Sequence, residues 1–421
     1  MKKRNRKWNR ILPLALSMSL AASPAVAYAK EFVPQPGKPY DDETQKRLED
    51  NVMEYEEIGR LIDVYNTTLQ NLRETYKDKK DSMSDIDDLK DQIEDGSDQL
   101  ADYASQLEST AEMFKGMLGF ESPMLPPGMS VAPSAYAEMV YSSVLLGQQS
   151  EQMLLSADQL TEMSPEMMRI QMIDTPRAAL ISGAQSALIG YEQLLLQKGS
   201  LQSTLELLQA VYQSIERQAA AGMATQNDVL SAKQNLDSVQ AGLMTIDANE
   251  VKLRQTLCTM LGWAYNASPE IPEIPDVDPN RIAAVNPEAD TQKALENNFT
   301  LKYNRLSKET LTNGSVEMQN LLRTIDAQES EVKASMINLY HALTQAKNEL
   351  SHAQTALTLE QSKMDLAERK MALGMIGRLE YLQQKNAFAT AEVNVRTAEL
   401  ALLQAVETYD WAVQGNLTLS Q

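Results

Sequence analysis

The sequence predicts an all-α fold of long antiparallel coiled-coil hairpins, built as two internal repeats and without evident β-strands. Three observations predict it. First, one helical turn occurs twice in the same register. Its first copy carries Arg217, Gly222, Met223, Asp228 and Lys233; its second carries Arg369, Gly374, Met375, Glu380 and Lys385, each 152 positions further on. Such self-similarity marks a duplicated supersecondary unit. Second, apolar residues around both turns recur at heptad steps, the mark of helices that supercoil along their sides. Third, aromatic residues make up only 5% of the chain and glycine 17 of 421 positions, while Gln, Leu, Ala and Glu dominate, as in long helices. No stretch alternates with period two and β-branched enrichment.

Residues 1–29 read as a secretory signal peptide. Lys2, Lys3, Arg4, Arg6, Lys7 and Arg10 form a basic start, Ile11 to Ala22 an apolar core, and small residues around Ala27 and Ala29 a cleavage site. The core is too short to remain as a membrane span. No cysteine lies near the cut to carry a lipid. Export to the cell envelope follows, meaning outer membrane and periplasm if the host has them and the cell surface otherwise. The signal removes six of the 38 basic residues and none of the 58 acidic ones, so the mature net charge is −26. That surface repels nucleic acid and anionic lipid. The lone cysteine, Cys258, has no internal disulfide partner and sits on the seam of Leu253, Leu257 and Met260, as buried filler does.

Residues 30–40 are proline-rich and extended. The first repeat spans 41–265. It starts with a helical stretch from about Asp41 to Met117, whose acidic middle keeps Ile86, Leu89 and Ile93 at helical spacing. That middle reads as a solvated helix face. As an EF-hand loop it would place Ile93 and Asp102 where calcium ligands belong. A loop insertion at 120–135 holds four prolines and a glycine. Ten of the 22 methionines lie between Met113 and Met172. With no His or Cys beside them they read as adaptable packing, although thioethers also suit Cu(I). Helix resumes near Tyr136 and is punctuated at Pro165 and Pro176.

From Arg177 the pattern is regular. Leu194, Leu201, Leu205, Leu208, Tyr212 and Ile215 form the ascending seam; Val229, Leu236, Val239, Leu243, Ile246, Leu253, Leu257 and Met260 form the descending one. A linker at 266–289 carries the run PEIPEIPDVDP. The second repeat spans 290–421, is broken at Thr312-Asn313-Gly314-Ser315, and then rises about 60 residues to Gly374. At 1.5 Å per residue that is about 90 Å.

The two turns, GMATQNDVLSAKQNL and GMIGRLEYLQQKNAF, together with the arm ends LRQTLCTMLGW and LLQAVETYDWAVQGNL and the proline-rich linker, resemble the TolC-type outer-membrane efflux protein family. The resemblance is best over 178–265 and 290–417. It implies a TolC-like α-barrel protomer, a homotrimer forming a twelve-helix tunnel, and a membrane-fusion (adaptor) protein as partner. It places Gly222, Asp228, Gly374 and Glu380 at the tunnel mouth as partner-binding residues. The residues themselves also make good turns, since glycine reaches positive φ and an acidic residue near a helix start favours its dipole. One departure stands out: strand pairs that would build a membrane barrel have no counterpart here.

No catalytic constellation, cofactor motif or metal site emerges. His341 and His352 are eleven residues apart on one helix, about 16 Å along its axis. The expected function is therefore non-enzymatic: a component of efflux or export. The alternative is a secreted coiled-coil scaffold or interaction protein that lost transport.

Overall fold

Proline and glycine positions, read with their caps, set the element order. The computed structural model describes residues 40–81, 86–118, 143–144, 146–151 and 164–419. The expected signal peptide, residues 30–39 and the loop expected at 120–135 lie outside the described residues. Twelve helices are labelled here: α1 (Asp42–Leu48), α2 (Ile58–Tyr65), α3 (Thr67–Asp81), α4 (Ile86–Leu118), α5 (Pro165–Arg169), α6 (Thr175–Ala220), α7 (Gln226–Leu261), α8 (Pro279–Ala284), α9 (Pro287–Asn297), α10 (Phe299–Thr310), α11 (Val316–Ala372) and α12 (Arg378–Gln414). Among the described residues there is no strand, only an isolated bridge between Val52 and Glu270. The all-α expectation holds over the described chain.

The helical stretch expected from about Asp41 to Met117 consists of several helices, α1 to α4. Its first turn is capped by Asp41, and the chain then breaks before α2 and again at Asn66. Pro165, Pro279 and Pro287 each open a helix behind a capping Ser164, Asp278 or Asn286, where the missing N–H is no loss. Pro176 does not end a helix. The chain absorbs it through a π-turn at Ile170–Asp174 and runs on into α6.

The four long helices form one layer in the order α7, α6, α12, α11, with each hairpin packed on itself and the two hairpins joined along α6 and α12. The heptad seams supply the contacts: Leu208, Val239, Ile246, Leu253 and Leu257 are buried in the first hairpin, and Leu343, Met364, Leu382, Leu400 and Leu403 in the second. Small side chains line the start of α6, where Ala178, Ala179, Ser182, Gly183, Ala184 and Ala187 are all buried. Polar pairs fix the α6–α12 register: the Gln404 amide donates to Ser186 at 3.0 Å, the Trp411 indole to Gln185 at 2.7 Å, and Lys385 meets Glu206 at 2.8 Å.

The duplication reaches the base of the layer as well as its tips. Asn66 and Asn298 are almost wholly buried, each between two short helices. The Asn66 carbonyl accepts from the Leu69 amide at 2.9 Å and its amide donates to the Met260 carbonyl at 2.8 Å. Asn298 repeats this with the Leu301 amide at 3.0 Å and the Leu417 carbonyl at 2.9 Å. Each asparagine thus caps a helix and pins the end of the descending arm. The pair α2–α3 thus has the same asparagine-centred arrangement as α9–α10. From Asn66 to Gly222 is 156 positions, but from Asn298 to Gly374 only 76. The excess holds α4, which packs on α3 and on the base of α7. It occupies the place that the Asn313-Gly314 break holds in the second half.

The linker straps the two hairpins together. Glu192 of α6 accepts from the Ile274 amide at 2.7 Å and from Arg396 of α12 at 2.6 Å, while Arg396 also meets Asp276 at 2.8 Å and Glu399 at 3.1 Å. Cys258 is buried and its thiol is pushed up to about 11 by that burial, so it stays a thiol at neutral pH.

Candidate functional site at the helical tips

Both ascending helices end in the same way. Met223 N–H bonds the Gln218 carbonyl at 2.8 Å and Gly222 N–H the Ala219 carbonyl at 3.0 Å; Met375 and Gly374 repeat this on Lys370 and Met371 at the same distances. This crossed pair of bonds is the Schellman motif, which needs a residue at positive φ. Gly222 has φ 76° and Gly374 φ 67°. A Cβ added at either would meet nothing within 4 Å. Gly222→Ala and Gly374→Ala are therefore expected to lose only the left-handed backbone term, about 1–2 kcal/mol each, with helicity retained in far-UV circular dichroism.

The two descending helices start differently. Thr225 caps α7 and Asp228 returns the bond, its carboxylate accepting from the Thr225 amide at 2.7 Å and hydroxyl at 2.8 Å. This capping box holds Asp228 below the usual carboxylate range, through the Thr225 amide first and its hydroxyl second. Asp228 is thus committed to its own helix. In the second tip Gly377 stands where Thr225 stands in the first, and α12 has no side-chain cap. Glu380 is exposed with its carboxylate unused by any cap. The four residues expected at the mouth divide into two backbone hinges, one capping carboxylate and one free one, and no single cluster gathers them.

The tips carry a second feature that the sequence shows only as composition. Met223 and Leu373 are each 74% exposed and Met375 68%, with Leu230, Leu366 and Met371 exposed beside them. Flexible, apolar, uncovered side chains at a helix end suit an adaptable protein contact. A second exposed seam runs along each edge of the layer. On α7 it is Leu230, Gln234, Asp237, Ala241, Met244, Ala248 and Val251, all exposed, at alternating steps of four and three. On α11 Ile337, Leu359 and Leu366 are exposed on the outer side. The inner seams are already used within the chain, so these are spare.

Among the described residues no group of His, Cys, Asp or Glu is placed to hold a metal ion, and no helix is long and apolar enough to cross a membrane. His341 and His352 both lie exposed on α11.

The fold defines a class: an all-α chain built as a duplicated long-helix hairpin. No protein-family model and no curated protein matches the chain. Among solved structures it is similar to the channel protein CusC, at 11% identity over 76% of this chain and 97% of that one, with a TM-score of 0.45. It is also similar to the Campylobacter jejuni CmeC outer membrane channel, at 11% identity over 95% and 94%, TM-score 0.39. A third is the open state of the Neisseria gonorrhoeae MtrE outer membrane channel, at 12% identity over 93% and 96%, TM-score 0.34. These are TolC-type channels. At such identities and scores no residue role passes from them to this chain.

Proposed function

We propose that the chain is a non-enzymatic, TolC-like component of the cell envelope that assembles as a homotrimer into a helical tunnel for efflux or export. Its tips meet a membrane-fusion protein through the exposed methionines and leucines around Gly222 and Gly374. One observation carries the reading: both edge helices of the four-helix layer keep a spare exposed seam. A layer with two sticky edges closes by repetition, the α7 edge of one copy meeting the α11 edge of the next. Such a head-to-tail contact forms a ring when the rotation closes.

The test joins the two edges chemically. Met244 and His352 each stand 22 residues from their tip glycine, so they lie at one level on opposite edges. Met244→Cys with His352→Cys should give dimers and trimers with a short bismaleimide, and neither single variant should give trimers. The native Cys258 is buried and does not compete. Light scattering of the mature chain should report three copies. A monomeric mass with no cross-link between chains would sink the tunnel and leave a secreted coiled-coil scaffold in its place.

A further inference from the structure

The turn between α10 and α11 brings together two groups that can react with each other. Asn313-Gly314 is the sole Asn-Gly step in the sequence. It lies in a turn that the Ser315 amide closes on the Thr312 carbonyl at 3.1 Å. Both residues are exposed. Among the described residues the Asn313 side chain makes no hydrogen bond or ion pair, and the Gly314 amide donates no hydrogen bond. Gly314 has φ 78°, and a Cβ built on it would meet nothing within 4 Å. Glycine also leaves its own nitrogen unshielded by a side chain and free to turn toward the preceding residue.

The other described asparagines outside helices each lack one of these freedoms. The side-chain amides of Asn66, Asn298 and Asn416 are held in hydrogen bonds. After Asn51 the Val52 amide is bonded to the Asp50 carboxylate at 2.9 Å. After Asn266 the Ala267 amide is bonded to the Ala264 carbonyl at 2.9 Å. Asn286 is followed by Pro287, which has no N–H to lose. At Asn313 alone among them, an unheld carboxamide adjoins an unheld and unshielded nitrogen.

We infer that Asn313-Gly314 is a self-modification site at which the folded chain deamidates. Water or hydroxide takes the proton of the Gly314 amide, and that nitrogen attacks Cγ of Asn313. The N–Cγ bond forms, the Cγ–Nδ2 bond breaks, and Nδ2 takes up a proton and leaves as ammonia. Water then opens the cyclic imide. Breaking the new bond to Cγ gives aspartate; breaking the bond to the Asn313 backbone carbonyl gives isoaspartate. No group is oxidised or reduced, and water is the sole co-reactant. Either product places a carboxylate two residues ahead of Ser315, which caps the 57-residue α11. Negative charge is favoured near that end of a helix. The open space at Gly314 accommodates the extra backbone methylene of isoaspartate. The site therefore records the age of the chain as an added negative charge, independently of assembly.

Ageing the folded mature chain in mildly alkaline buffer, then digesting it in acid for peptide mass spectrometry, tests the inference. The amide-to-acid mass change is expected first at Asn313. The same peptide should accept a methyl group from isoaspartyl methyltransferase. Conversion should be faster in mild alkali than in mild acid, because the attacking nitrogen must lose its proton. Asn313→Gln keeps an exposed amide but needs a larger ring, so both signals should be lost with the circular dichroism unchanged. The denatured chain is the reference. An amide still intact at Asn313 in the folded chain, after the denatured chain has reacted, would overturn the inference. Equal conversion at Asn51, Asn66 or Asn298 of the folded chain would also overturn it, as would undiminished conversion in Asn313→Gln. Loss of helicity on conversion would overturn the accommodation of the product by the turn.

Discussion

Gly415→Ala is expected to lower the stability of the chain by more than about 4 kcal/mol, the size reserved for a broken backbone contact. Gly262→Ala should do nearly the same. Gly415 ends α12 at φ 109°, and a Cβ there would strike the Asn297 carbonyl oxygen and stand 2.7 Å from its carbon. Gly262 ends α7 at φ 88°, and its Cβ would strike Tyr65, 2.6 Å from the carbonyl oxygen. These obstacles are backbone, so no rotamer change relieves them. Tyr65 and Asn297 also immediately precede Asn66 and Asn298, so a displaced arm end would drag both buried amides off their carbonyls. The tip glycines share the positive φ but have open space, which isolates the steric term. Urea denaturation of all four alanine variants separates the cases. If the base variants fell within about 1 kcal/mol of the tip variants, the latch would not be the close contact described.

The tips and seams were legible in the sequence because each is a local pattern. A Schellman glycine, a heptad and a proline-rich linker are written in consecutive residues, and the duplication repeats them at a constant offset. The base was less legible for a physical reason. Its latches consist of a single asparagine and a single glycine that meet only in space. The signal existed: Asn66-Thr67-Thr68-Leu69 and Asn298-Phe299-Thr300-Leu301 share an Asn-x-Thr-Leu pattern. The long insertion carrying α4 removes it from the 152-residue register that reveals the tips, and within the helical stretch expected from about Asp41 to Met117 nothing local marks Asn66 as a break. Asp228 was legible as an acidic residue near a helix start. The Thr-x-x-Asp spacing that makes it a capping box is equally local. The exposure of Met223 and Met375 could not be read, since heptad breaks and exposed apolar residues look alike until a partner helix is known to be absent.

Arg396→Met is expected to cost about 3–5 kcal/mol at neutral pH, the usual result of leaving one member of a buried ion pair alone. Arg396 is 13% exposed and Glu192 11% by side chain, and they meet at 2.6 Å. The surrounding Glu273 and Asp276 are 76% exposed and lose little, because water screens them. The deficit should depend on pH with a definite sign. Burial raises Glu192 above the ordinary glutamate range even with Arg396 present, while the Ile274 amide and then Arg396 oppose that rise. A carboxylate raised on folding gives stability that is complete below its unfolded pKa and lost as pH rises through its folded one. Without Arg396 the folded value rises further. The variant is therefore worst at and above neutral pH and recovers as acid protonates Glu192. What remains in acid is the lost bond from Arg396 to the Ile274 carbonyl and some packing, about 1–2 kcal/mol. Adding Glu192→Gln to Arg396→Met should flatten the pH dependence and recover much of the neutral-pH loss, because the unpaired charge is gone. A deficit that stayed constant from acid to neutral pH would mean that Arg396 acts by packing the linker strap rather than by neutralising Glu192.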